Sequence, residues 1–227
     1  MGVGWKRDWA GVSAANADPV VLSGVAITPG NWVVAGIRVP SGTTITPPSP
    51  FVLVTSEDNG VSKLETFAGK SVLGETSFSF SHNNAAATAK LGVLSEMQVI
   101  AAADAVDGMA DAQTASGTSC STGTTGITVQ ADEMAIAFVT FPGGSVTTPV
   151  CADGFTNGAE ATVGSIRLLL AWKVLSAVGA QVGTWSWVTA RTSISAIFTL
   201  KGVAGGPAGL VNSGLLGAGL VNGGLVE

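Results

Sequence analysis

Phe51-Val52-Leu53-Val54-Thr55-Ser56-Glu57-Asp58-Asn59-Gly60-Val61-Ser62-Lys63-Leu64-Glu65-Thr66-Phe67-Ala68-Gly69-Lys70-Ser71 decides the fold. An apolar, β-favouring run over 51–56 meets Glu57-Asp58-Asn59-Gly60. Asn-Gly is a strong hairpin signal because both residues tolerate positive φ. Residues 62–71 therefore run back antiparallel to 51–56. Beyond them, Thr76-Ser77-Phe78-Ser79-Phe80-Ser81 alternates strictly, which places Phe78 and Phe80 on one face of a strand.

The pattern extends both ways. Residues 20–27 are β-rich and stop at Thr28-Pro29-Gly30; residues 31–39 stop at Pro40-Ser41-Gly42. A short strand over 43–46 is broken by Pro47-Pro48-Ser49-Pro50. Downstream, 90–100 is long enough for a central strand and 127–129 is short. Residues 134–141 are strongly apolar and end at Pro142-Gly143-Gly144, and 166–174 is again apolar. Residues 182–188 set Trp185 and Trp187 on one face, and 193–200 closes the series. Residues 101–113 tolerate a helix, but Gly108 and the lack of an apolar stripe make them mainly a loop, or a strand with one short turn. The expected fold class is all-β: an antiparallel, jelly-roll-like β-sandwich of about ten to twelve strands with extended N- and C-terminal arms. The expected boundaries are an N-terminal arm over 1–19, the sandwich over 20–202 and a repeat tail over 203–227.

Composition narrows function. The 227 residues carry 10 Lys plus Arg and 15 Asp plus Glu, a net charge of −5, and only 11% are charged. About a quarter is usual. Acid–base and electrostatic catalysis need ionisable groups, so no enzyme is expected. A weakly charged surface rich in Gly, Ala and Thr suits a homo-oligomer or larger assembly, where neighbours rather than water cover large faces. The basic residues are scattered, with only Lys6 and Arg7 adjacent, so no stripe exists to displace counterions from nucleic acid. No run of about 18 apolar residues suggests a membrane helix. The start lacks the apolar core of a secretory signal, and Lys6 stands where a myristoylation motif wants Ser or Thr. A cytoplasmic chain, or one packed into a particle there, is expected.

The last residues are periodic. From Ala208 the chain reads Ala-Gly-Leu-Val-Asn, Ser-Gly-Leu-Leu-Gly, Ala-Gly-Leu-Val-Asn, Gly-Gly-Leu-Val-Glu. A period of five fits neither a helix nor a strand. It resembles pentapeptide-repeat solenoids, with Gly in place of the usual Asp or Asn before the leucine. One coil cannot bury its own core. Leu210, Val211, Leu215, Leu216, Leu220, Val221, Leu225 and Val226 are therefore expected to be assembly contacts. Trp5 and Trp9, four apart in the first segment, are expected to pack on a neighbour or on the domain's own body.

Candidate chemistry is sparse. His82 is the single histidine, in a turn, and cannot alone build a histidine zinc site. No Gly-x-Ser-x-Gly elbow is present. Asp104, Asp107 and Asp111 beside Gly108 miss the EF-hand spacing, which leaves only an irregular calcium loop open. Glu57-Asp58, Asp132-Glu133 and Asp153 read as solvated loop acids, with a distant glycosidase pair as the weaker alternative. Trp32, Trp172, Trp185 and Trp187 read as core, with a sugar-stacking platform as the alternative. Gly123-Thr124-Thr125-Gly126 lacks the lysine of a phosphate loop. No catalytic residue, metal ligand or cofactor is expected. For Cys120 and Cys151, a disulfide and two free thiols both stay open.

Several pieces, in order, resemble a β-sandwich domain of phage virion and prophage-encoded proteins. These are Pro29-Gly30-Asn31-Trp32-Val33-Val34-Ala35, Gly42-Thr43-Thr44-Ile45-Thr46-Pro47-Pro48, Phe51-Val52-Leu53-Val54, Phe67-Ala68-Gly69-Lys70, Gly74-Glu75-Thr76-Ser77-Phe78-Ser79-Phe80-Ser81 and Asp132-Glu133-Met134-Ala135-Ile136-Ala137. The resemblance covers roughly 20–201. Asn31 stands where that motif has Asp, and Pro50-Phe51 where it has Gly-Trp. The resemblance implies a non-enzymatic virion protein of a bacteriophage, assembled in the host cytoplasm. It would be a capsid decoration or stabilising protein, or a head-tail appendage, partnered by capsid or tail subunits. The alternative is a tail or fibre module that binds a surface carbohydrate or receptor.

Overall fold

The computed structural model describes residues 3–13, 18–85, 88–98, 100, 104–143 and 149–203. Residues 204–227, with all eight expected contact residues of the repeat tail, lie outside them. Among the described residues the chain forms strands only. They are β1 (Gly4–Ser13), β2 (Val20–Ser23), β3 (Trp32–Pro40), β4 (Ile45–Thr46), β5 (Val52–Asp58), β6 (Ser62–Lys70), β7 (Ser77–His82), β8 (Lys90–Gln98), β9 (Val106–Ser121), β10 (Glu133–Phe141), β11 (Val150–Cys151), β12 (Thr156–Val163), β13 (Ile166–Val174) and β14 (Thr184–Lys201).

The expected hairpin is present as β5 and β6, joined through Asn59-Gly60 with Gly60 at φ +80°. Asn59 Oδ1 accepts the Ser62 amide at 3.0 Å. One antiparallel sheet runs β1-β8-β3-β6-β5. A second runs β14-β10-β13-β12, with β9 and the short β11 on either side of β14. A small sheet, β2-β7-β4, forms a further layer.

Three cores result. The central one holds Val34 and Val93 from the first sheet against Ile136, Phe138, Leu170 and Phe198 from the second. Behind β3, Val33, Ala35, Ile37 and Val39 pack on Leu22, Phe78 and Phe80. Behind β10, Ala135, Ala137, Val139 and Phe141 pack on Trp185 and Trp187, which the first half of β14 folds over that face. Burial on both faces explains why 31–39 and 134–141 read as continuous apolar runs rather than alternations.

The all-β antiparallel sandwich is as expected, but several elements differ. Residues 106–121 form one long strand where 101–113 reads mainly as a loop, because β14 supplies a full-length partner. β12 was not visible in the sequence. Residues 184–201 are one strand rather than two, with the register slipping between Ser186 and Arg191. Residues 4–13 are the edge strand of the first sheet, paired to β8 from Gly4↔Gln98 to Ser13↔Lys90. Of the two readings of the first segment, packing on the domain's own body holds for these residues.

The two halves share one plan. β1, β8, β3, β6 and β5 connect and pair as β9, β14, β10, β13 and β12 do. Registers correspond residue by residue. Trp32↔Met97 matches Met134↔Leu200, Val52↔Ala68 matches Thr156↔Trp172, and Trp5↔Met97 matches Val106↔Leu200. Loop bonds repeat as well. Ser71 N donates to Asn31 O at 2.9 Å and Leu175 N to Glu133 O at 2.8 Å; Phe51 N donates to Pro48 O and Phe155 N to Ala152 O. In this correspondence Gly36 is the counterpart of Phe138, and they touch. A Cβ built on Gly36 would lie 2.6 Å from the Phe138 ring. Contact between equivalent positions is what an approximate twofold axis produces. The described strands thus repeat one plan twice, and the two halves face one another as a symmetric dimer does.

Candidate interaction surfaces and buried carboxylates

Trp5 and Trp9 sit on β1. The Trp5 ring stacks on Trp172 of the second sheet, centroids 5.5 Å apart and planes 6° from parallel, and keeps 38% of its surface exposed. Trp9 is half-buried against the core behind β3, with the Arg7 guanidinium 5.9 Å from its ring. Trp185 and Trp187 are buried in the core behind β10, while Trp32 and Trp172 border the central core. The four strand tryptophans therefore do not share one face.

The first sheet holds one fully buried acid, Glu96. Its Oε1 accepts the Thr28 amide at 2.9 Å, Asn31 Nδ2 at 2.6 Å and Lys6 Nζ at 3.3 Å. Arg7 Nε stands 3.5 Å from Oε2. Burial alone would raise the Glu96 pKa, but the Thr28 backbone N–H, the Asn31 and Thr28 side chains and Lys6 hold it below the ordinary carboxylate value. Glu96 thus ties β1, β8 and the 28–31 loop together. Sequence reading passed over it; the available signal was a charge inside the apolar strand Leu91-Gly92-Val93-Leu94-Ser95-Glu96-Met97.

The second half has its own fully buried acid, Glu133. Its Oε1 accepts the Gln130 amide at 3.3 Å, and Thr199, whose Oγ1 accepts the Gly108 amide at 3.0 Å, acts to lower its pKa. Asp107 lies against it, and Glu133 Oε2 has no hydrogen-bond partner. Burial, then the charge of Asp107, pushes its pKa up. Asp107 is also fixed from the other side, accepting the Val129 amide at 2.8 Å. Glu133, expected as a solvated loop acid, and Asp107, read beside Asp104 and Asp111 as part of an irregular calcium loop, are thus brought together from separate strands.

The other candidates remain apart. Glu57 at the end of β5 is raised by burial and then by the charge of Asp111 across the gap to β9, where Gln113 Nε2 donates to it at 2.7 Å. Burial would raise Asp58, but hydrogen bonds from Ser41, Gly42 and Gly60 hold it low. Asp104, Asp132 and Asp153 occupy left-handed turns at φ 46°, 61° and 60°. The buried His82 ends β7; its amide donates to Asp18 Oδ1 at 2.8 Å. Among the described residues no three His, Cys, Asp or Glu side chains converge.

Cys120 and Cys151 are both free and buried. They pair in register with opposite sides of Trp185, so two strand spacings, roughly 9.6 Å, separate their backbones. A disulfide tolerates at most about 7 Å between Cα atoms.

The outer surface carries exposed aliphatic side chains. Leu73 is 85% exposed, Val188 74% and Ile127 73%, with Val72 and Val129 close behind. Ile127 bridges to Ala180 and Thr128 N donates to Gly179 O, so the exposed Ile127, Val129 and Val178 lie along two adjoining segments. Beside them, a recess of about 160 Å³ is lined by Lys173–Ala177 and Gln181. Small-molecule pockets usually hold about 300–1,000 Å³, so this recess fits a side chain better than a substrate.

No protein-family model matches the chain, and neither a curated protein nor a solved structure is found similar to it.

Proposed function

We propose that this chain is a non-enzymatic structural component of a larger particle, of the capsid-decoration or head-tail-appendage kind, that binds neighbouring subunits and copies of itself. The observation that carries this reading is the surface. Large aliphatic side chains, grouped at Val72-Leu73 and at Ile127, Val129 and Val178, stand open to solvent on a chain with only 11% charged residues. Exposed apolar patches commonly mark surfaces that other molecules cover, protein partners among them. The ordered resemblance of residues 20–201 to phage virion sandwiches supports the same reading. The Gly-Leu-Val repeat of the last residues would add a second apolar contact.

Size-exclusion chromatography with light scattering on the full chain, beside a chain ending at Val203, tests the proposal. Concentration-dependent association of the full chain, weakened by truncation or by Leu73→Asp with Ile127→Asp, is expected. A full chain that stays monomeric at high concentration and binds no particle would overturn it.

A further inference from the structure

We propose that Asp107 and Glu133 form a binding site for a hard divalent cation, with calcium the first to test, in the place that Lys6 holds in the other half. The repeated plan of the two halves points to it, independently of any assembly role. Trp5↔Met97 corresponds to Val106↔Leu200, and Asp8↔Ser95 to Met109↔Phe198, with a bulge at the same place in each ladder. Lys6-Arg7 therefore corresponds to Asp107-Gly108, and Glu96 to Thr199.

Each half has one fully buried carboxylate at this place, carried by opposite strands. Glu96 reaches from β8 and Glu133 from the start of β10, and each accepts an amide of the preceding loop, Thr28 N or Gln130 N. In the first half the carboxylate is neutralised by Lys6 and Arg7. In the second half the lysine's counterpart is an aspartate. Asp107 and Glu133 accept the adjacent amides of Val129 and Gln130, so two carboxylates stand where the other half has an ion pair. Glu96 Oε2 and Glu133 Oε2 both lack a hydrogen bond, but Glu96 Oε2 faces Arg7 Nε at 3.5 Å, whereas no ion pair reaches Glu133 among the described residues.

Buried charge is tolerated when it is paired or coordinates a metal. Lys201 is the cross-strand neighbour of Glu133, but no ion pair joins them among the described residues. Two carboxylates of this kind, completed by carbonyl and water oxygens, suit a hard oxygen-seeking cation rather than a soft one.

The test uses the full chain, stripped with a chelator, and reads thermal unfolding with calcium or magnesium chloride added at neutral pH. For a cation at a hundred times its dissociation constant, Tm should rise by about 5–10 °C. Asp107→Lys rebuilds the arrangement of the other half. It should raise the metal-free Tm and abolish the response to cation. Glu133→Gln should abolish the response while circular dichroism shows the fold kept. A wild-type Tm unmoved by either cation would mean that the pair merely shares a proton, and would overturn the site. So would a response that survives in both variants, since the cation would then bind elsewhere. Neither result touches the assembly reading, whose measure is mass in solution.

Discussion

Exchanging Gly36 and Phe138 tests the duplicated architecture at its centre. Phe138 is fully buried, stacks 5.9 Å from Phe198 and lies on the bare backbone of Gly36. Phe138→Gly removes a core ring, which costs about 3–5 kcal/mol, with roughly 0.5–1 more for glycine in a strand. Gly36→Phe drives a second ring into space where a Cβ alone would sit 2.6 Å from ring carbon, so it should cost more than about 3 kcal/mol. If the two residues are related by a twofold axis, the double exchange launches one ring from the opposite strand into the same central layer. It should then recover at least about 2 kcal/mol relative to the sum of the single changes. Recovery is partial, because Ser95 stands where the other half has Phe198. At about 2–4 °C per kcal/mol, Phe138→Gly lowers Tm by about 7–24 °C, and the double exchange should unfold above the additive expectation by about 4 °C or more. Calorimetry or circular dichroism of the four proteins reads this directly. Strictly additive losses would refute the twofold reasoning.

Further expectations concern buried groups. Glu96→Gln should cost about 1–3 kcal/mol at neutral pH, since it weakens the bonds to Lys6, Arg7 and Thr28. The folded pKa of Glu96 lies below its unfolded value, so its contribution is present above the unfolded value and lost as pH falls through the folded one. The gap between wild type and variant in urea titrations should therefore close on acidification; a gap constant with pH would count against the network. Glu133 has the opposite sign. Its pKa is raised on folding, so stability is fully present below the unfolded value and lost as pH rises through the folded one. Without metal, Glu133→Gln should gain on wild type as pH rises from about 5 to about 8, by about 1–3 kcal/mol, and an unchanged difference would refute the carboxylate contact. Burial, then the charge of Asp153, pushes the Cys151 thiol up to about 12, and burial raises Cys120. A thiol reagent should leave both untouched in the native protein and label both after denaturation. Rapid native labelling would contradict their burial.

What the sequence revealed follows from side-chain size. Strands carrying β-branched and aromatic residues, such as β3, β5, β7, β10 and β13, were legible because their patterns end at Pro, Gly or Asn. β9 and β12 were not, since Ala, Ser, Thr and Gly form strands only where a partner imposes it. In β12, Ala159 and Ala161 face inward, too small to write a hydrophobic period. The repeated plan was missed for a related reason. Its two halves share positions rather than residues, as Gly36 against Phe138 shows. Its traces are slight, chiefly the prolines at 40 and 142 that follow the apolar runs and the phenylalanines at 51 and 155. Glu133 was visible but misread as solvated, because only tertiary pairing with Asp107 reveals its burial.

The composition of β9 also bears on how the molecule is made. β9 ends at Ser121, and β14, against which it lies, begins at Thr184. During synthesis a sixteen-residue extended segment thus waits while β10, β12 and β13 emerge. Unpaired strand edges recruit foreign strands, and greasy ones do so most. β9 carries two acids, two glycines and mostly Ala, Ser and Thr, with Val106 and Met109 as its only long aliphatic side chains. The blandness that hid it from sequence reading leaves a nascent chain little to aggregate through until its proper neighbour arrives.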